Sequence, residues 1–195
     1  MRENNKPKRI ERSEDRDALW PINRPARRRC DTAAMQKPSF SKLDILVVDP
    51  SPHMGALIGQ MLRHLKVRRI DEVQSSDAAT VLLQSHRFGA IMMNDVLTPM
   101  NGVAVVRALR AASEGLNRDT PVIMMSAAPD AGEIAAARDA GVTEFLRKPF
   151  ATQHIESRLV SIMTAPRPFI EAGNFAGPDR RRKRGDYKGG ERRAR

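Results

Sequence analysis

Apolar positions along this chain follow two rhythms that alternate. Ile45-Leu-Val-Val48, Ala90-Ile-Met-Met93 and Pro121-Val-Ile-Met-Met125 are short continuous runs, the pattern of strands buried on both faces. Between them apolar residues recur at helical spacing. Met54, Leu57, Ile58, Met61, Leu62 and Leu65 form one such series, and Val103, Val105, Val106 and Leu109 another. A shorter series, Ala78, Val81 and Leu82, predicts a helix over 77–84 with those three residues turned inward. Ser51 suits an N-cap and Pro52 the first helical position after it. Further strands are predicted over 69–73 and 143–146. Further helices are predicted over 131–140, stopped by Gly141, and over 152–162.

Strand and helix therefore alternate five times within 43–163. Short apolar strands joined by helical crossovers require an α/β fold, a five-stranded parallel sheet with helices on both faces. Ligands of such sheets collect outside the carboxyl ends of the strands. The chemistry-bearing residues at those ends are Asp49, the neighbours Asn94 and Asp95, Ser126 and Lys148.

Charge divides the 195 residues into three parts. Residues 1–42 carry 12 Lys/Arg against 6 Asp/Glu, residues 43–162 carry 12 against 13, and residues 163–195 carry 10 against 4. A near-neutral folded module with basic, disordered arms over 1–42 and 164–195 is the expectation. The lone Cys30 offers no disulfide framework, and no apolar run is long enough for a bilayer span. The N-terminus is charged and has no apolar signal segment, so the expected compartment is the cytoplasm, with no membrane partner. Trp20, in Leu-Trp-Pro, is a candidate docking residue in the first arm. Met35 is an alternative translation start ahead of the first strand.

An acid, a second polar or acidic group, a hydroxyl and a lysine at successive strand ends resemble the receiver domain of two-component response regulators. The resemblance covers about 43–163. It is carried by Ile45-Leu-Val-Val-Asp49, Met100-Asn-Gly102, Pro121-Val-Ile-Met-Met-Ser-Ala127 and Ala140-Gly-Val-Thr-Glu-Phe-Leu-Arg-Lys-Pro-Phe150. It implies a flavodoxin-like, doubly wound fold and a non-enzymatic signalling role in a phosphorelay. It also implies a histidine kinase or downstream target protein as partner. In the family, a phosphoryl group reaches an Asp ending the third strand, and acids after the first strand hold Mg2+. The hydroxyl and the lysine bind the phosphoryl oxygens, and a fifth-strand aromatic, here Phe145, repositions.

Two positions depart from that pattern. The acidic pair after the first strand is Asp49-Pro50, which leaves Asp49 as a weak magnesium site. The acceptor position falls on Asn94 when counted eight back from Gly102 or eleven forward from Leu83, but on Asp95 when counted four back from Pro99. A carboxylate is a nucleophile toward phosphorus and an amide is not. Asn94 inward therefore implies a pseudo-receiver acting by protein contact, and Asp95 inward a working phosphoacceptor.

The second arm contains a repeat. Phe175-Ala-Gly-Pro-Asp-Arg180-Arg181 and Tyr187-Lys-Gly-Gly-Glu-Arg192-Arg193 share an aromatic, a glycine, an acid and two arginines. Guanidinium groups fork onto phosphate and stack on bases. The repeat resembles the arginine-rich tail of chemotaxis-type receivers that bind cyclic di-GMP. Nucleic acid and a purely solvated or protein-docking tail are the alternatives.

Overall fold

A computed structural model describes residues 38–173 and 175–180. Trp20, Cys30 and Met35, and with them most of the first arm, lie outside these residues, as do Arg181, Arg192 and Arg193. The elements in chain order are β1 (Asp44–Val48), α1 (Pro52–His64), β2 (Arg69–Val73), α2 (Ser76–Ser85), β3 (Ala90–Asn94) and α3 (Gly102–Ala111). They continue with β4 (Val122–Ser126), α4 (Ala131–Asp139), β5 (Glu144–Arg147), α5 (Thr152–Thr164), β6 (Phe169–Ala172) and β7 (Phe175–Pro178). β1 to β5 form one parallel sheet in the order β2-β1-β3-β4-β5. Each crossover between parallel strands carries a helix, as the alternating pattern requires.

The pleat of the sheet divides its side chains between two cores. Ile45, Val47, Ala90, Met92, Ile123, Met125 and Leu146 face α1 and α5. Leu46, Val48, Ile91, Met93, Val122 and Met124 face the opposite side, with residues of α2, α3 and α4. Alternation along a strand has period two, so the same parity governs the residues at the strand ends. Asp49, Asn94 and Lys148 continue the α1/α5 side. Asp95, Ser126 and Phe145 continue the other.

Two local expectations are corrected. In α2 the buried residues are Ser76, Ala79 and Leu83; Leu82 packs against the core as expected, but Val81 is 64% exposed. The cause is tertiary. Ser76 is buried because its hydroxyl accepts from the Met100 N–H (3.0 Å) and its own N–H donates to the Thr98 carbonyl (3.1 Å). Those bonds fix which face of the helix turns in. Phe40, placed by charge in the first arm, is 5% exposed and packs with Ile45, Ile58 and Leu62 on the α1/α5 side.

The second arm is also partly folded. β6 and β7 form an antiparallel hairpin, Phe169 opposite Pro178 and Ala172 opposite Phe175. A two-stranded hairpin is marginal alone and needs a packing partner. Here β7 lies against the turn between α4 and β5. A Cβ on Gly177 would stand 2.9 Å from the Gly141 Cα, and Gly141 itself has φ +96°. Beneath them Arg110 is buried, donating from Nε to the Gly141 carbonyl (3.1 Å), from Nη2 to the Thr120 carbonyl (2.9 Å) and from Nη1 to the Arg118 carbonyl. Burial pulls its guanidinium down to about 10. Arg118 pairs with Glu171 (2.7 Å), and both guanidiniums face the Phe169 ring, at 6.0 and 5.2 Å. Arg167 reaches the buried Glu144 carboxylate (3.1 Å).

Candidate functional site

The strand-end cluster is organised by Lys148. Its ammonium donates to Asp49 Oδ2 (2.6 Å) and to Asn94 Oδ1 (2.9 Å). The Asp49 side chain is 2% exposed and that of Lys148 17%, so the pair is shielded from water. Asp49 Oδ1 accepts from the Ser51 N–H (3.0 Å), the same serine whose hydroxyl caps α1. The second half of the Asn94 amide is used too, its Nδ2 donating to the Val96 carbonyl (2.8 Å). Each polar atom of Asn94 therefore has a partner, as a residue 7% exposed requires.

Asp95 takes the other side of the pleat. Its Oδ1 accepts from the Val96 N–H (2.8 Å), and its backbone N–H donates to the Met125 carbonyl (2.9 Å). It borders a cavity of about 410 Å³ between α3 and α4, together with Arg107, Met124, Glu133 and Phe145. The half-buried Phe145 thus faces Asp95, not Asn94. Ser126 is buried at the end of β4, and its carbonyl accepts from the Lys148 N–H (2.7 Å). The structure so brings Asp49, Asn94 and Lys148 together by side chain, and Ser126 beside them by backbone. Asp95 and Phe145 form a separate group.

A backbone approach locks this arrangement. The Gly102 N–H donates to the Asp95 carbonyl (2.8 Å), and a Cβ on Gly102 would stand 2.2 Å from the Asn94 carbonyl oxygen. Glycine at the start of α3 is what lets the helix sit against the end of β3. The backbone partners Ser51 N–H and Val96 carbonyl were not among the predicted site groups. Ser51 carried only a capping signal, and the Val96 carbonyl carries none, because main-chain roles leave little trace in side-chain pattern. Arg107 and Glu133 were also unforeseen, since both lie on helix faces that read as solvated.

The donor set fits a divalent cation poorly. It holds one carboxylate, both of whose oxygens already accept bonds, and position 50 is proline. Among the described residues no group of three or more His, Cys, Asp or Glu side chains could hold a metal ion.

A parallel β2-β1-β3-β4-β5 sheet with a polar cluster outside its carboxyl ends, completed by an acid from β1 and a lysine after β5, defines a receiver-type signalling module. Residues 45–160 match the response regulator receiver domain, and the chain belongs to that family. It is 30% identical over 120 residues to the chemotaxis protein CheY of Pseudomonas aeruginosa, covering 62% of this chain and 95% of that protein. A CheY homolog of Campylobacter jejuni is 30% identical over 122 residues, covering 62% and 92%. Among solved structures, the receiver domain of sensor histidine kinase PA1611 from P. aeruginosa has a magnesium ion coordinated in its active-site cleft. It is 28% identical with a TM-score of 0.54, covering 61% of this chain and 94% of that one. Chemotaxis response regulator CheY4 of Vibrio cholerae shares the fold, with 22% identity, a TM-score of 0.55 and coverage of 60% and 95%. No helix among the described residues is long and apolar enough to cross a membrane.

Proposed function

We propose that this receiver is a pseudo-receiver, with Asn94 at the acceptor position, and that it signals by protein contact and carries out no catalysis of its own. The observation that carries the reading is the placement of the Lys148 ammonium between Asp49 and Asn94, with Asp95 turned to the opposite face of the sheet. A phosphoryl group entering at β3 would meet an amide, and the lysine that would bind its oxygens already has two internal partners. The partner is a histidine kinase or a downstream target that recognises one fixed state.

The test is labelling with a small phosphodonor such as acetyl phosphate, with and without magnesium, read by intact mass. Wild type is expected to stay unlabelled and Asn94→Asp to take up one phosphoryl group. Labelling of wild type that disappears in Asp95→Ala would overturn the reading and make Asp95 the acceptor.

A second reading concerns input. Arg180, the first arginine of the repeat, stands over the Phe175 ring at 4.0 Å, an aromatic–guanidinium platform suited to a planar anion. We infer a cyclic dinucleotide as the ligand of Arg180, Arg181, Arg192 and Arg193. Calorimetry with cyclic di-GMP is expected to give a signal that is lost on truncation after Pro166. Binding retained by the truncated protein would refute this site, and binding to any DNA in a strongly salt-dependent way would replace it with general polyanion affinity.

A further inference from the structure

The C-terminal hairpin and the cavity beside Asp95 meet at one element, α4. That helix is held to the sheet lightly: its sequence is Ala-rich, and Ala137 is the one residue it buries. One side of α4 supplies the cavity wall, through Glu133, Ala136 and Ala137, opposite Asp95 and Phe145. Its C-terminal end is gripped by the hairpin. Gly177 lies against Gly141, the residue that turns the chain from α4 into β5, with space for no side chain on either. Arg180 leaves the hairpin, covers the Phe175 ring at 4.0 Å, and reaches Asp139, the last residue of α4, at 3.2 Å. A carboxylate at a helix C-terminus opposes the helix dipole, so Asp139 is the residue of α4 that most needs a cation beside it. Arg138 Nε is its other cationic neighbour, at 3.4 Å.

We propose that the hairpin is a clasp on α4 and that Arg180 is its release point. An anion that draws Arg180 away leaves Asp139 under-compensated at the end of the helix. The last turn of α4 then frays, and the wall of the Asp95–Phe145 cavity loosens with it. The binding of an anion by the tail is thereby reported on the face of the domain away from Lys148, without any phosphoryl transfer. The nature of the anion, planar and phosphate-bearing, rests on the tail reading above. The clasp rests on the contacts alone.

Hydrogen exchange of the full-length chain tests both parts. Arg180→Ala is expected to speed exchange of the 136–140 amides about two- to five-fold, the scale of one exposed ion pair at a helix end. The same substitution placed on Asp139→Asn is expected to change those amides little, because the uncompensated charge is gone. Gly177→Val, which drives a side chain into Gly141, is expected to speed exchange there and across 169–178 by about tenfold, through undocking of the hairpin. Unchanged α4 exchange in Arg180→Ala, or an equal effect with and without the Asp139 carboxylate, overturns the release point. Unchanged α4 exchange in Gly177→Val with a deprotected hairpin overturns the clasp. With cyclic di-GMP at saturation, the same α4 amides are expected to speed up in wild type and not in Asp139→Asn. Calorimetric binding with no change at α4 overturns the coupling. Absence of binding heat overturns the identity of the tail ligand, while the variants still decide the clasp.

Discussion

Replacing Lys148 by methionine removes one ammonium and keeps most of the stem. Two groups lose their donor at once: Asp49 Oδ2 at 2.6 Å and Asn94 Oδ1 at 2.9 Å. Asp49 keeps only the Ser51 N–H, and its side chain is 2% exposed. Stranding a buried charge costs about 3–5 kcal/mol when water is fully excluded. Lys148 is 17% exposed, so its departure opens a route for water to Asp49, and the cost falls toward the lower end. The unpaired Asn94 carbonyl adds about 1 kcal/mol. A loss of about 4 kcal/mol is expected in urea unfolding at neutral pH, read from a midpoint shift at constant slope. Placing Lys148→Met on an Asp49→Leu background isolates the charge pair. There the substitution is expected to cost only the Asn94 share, about 1 kcal/mol, which leaves a coupling of about 3 kcal/mol between positions 49 and 148. A coupling under about 0.5 kcal/mol would refute the view that Lys148 serves as the standing counter-ion of Asp49, since neighbouring charges in one buried cluster couple above that level.

Gly102→Ala pushes a Cβ to 2.2 Å from the Asn94 carbonyl, a backbone atom that yields only if the loop moves. It is expected to lower stability by about 1–3 kcal/mol and to shift the amide resonances of 94–96 before those of the distant core. Asp44 tests the acid limb of stability. The Arg68 guanidinium, bonded at 2.7 and 2.5 Å and joined by His86 at 3.1 Å, holds the Asp44 carboxyl below its ordinary value against the opposing effect of burial. A depressed folded-state value means that the stabilisation is present above the ordinary carboxylate range and is lost as pH falls through and below it. Asp44→Asn should therefore lose stability at pH 7 and converge on wild type as pH falls through and below the ordinary carboxylate range, in urea midpoints taken across pH. Parallel curves at all pH values would contradict the ion pair.

Fold class was legible in the sequence because it rests on periodicity. Continuous apolar runs alternating with helical spacing admit few arrangements besides a parallel sheet covered on both faces. The residues at the strand ends followed from the same pattern, and Asp49, Asn94 and Lys148 do meet. The acceptor question was framed by spacing but left open by it, since Gly102 and Pro99 gave answers one residue apart. Pleat parity puts the two side chains on opposite faces of the sheet: Asn94 follows Met92 toward α1 and α5, and Asp95 follows Met93 toward α3 and α4.

What the sequence by itself determined is thus whatever a local rule encodes: element type, order, caps and the chemistry available at the strand ends. Tertiary structure alone decided three things. It chose the buried face of α2, because Ser76 bonds to the β3–α3 loop and overrides the apolar stripe through Val81. It made a hairpin of a stretch whose charge and Pro/Gly content read as an arm, because Gly141 and Gly177 allow backbone to meet backbone, Arg110 faces the Phe169 ring, and Arg118 and Arg180 find carboxylates across the junction. And it set the direction of two adjacent side chains at the end of β3, where a step of one residue exchanges an amide beside Lys148 for a carboxylate. Contacts between residues far apart in sequence leave no periodic signal, so only the folded chain could place them.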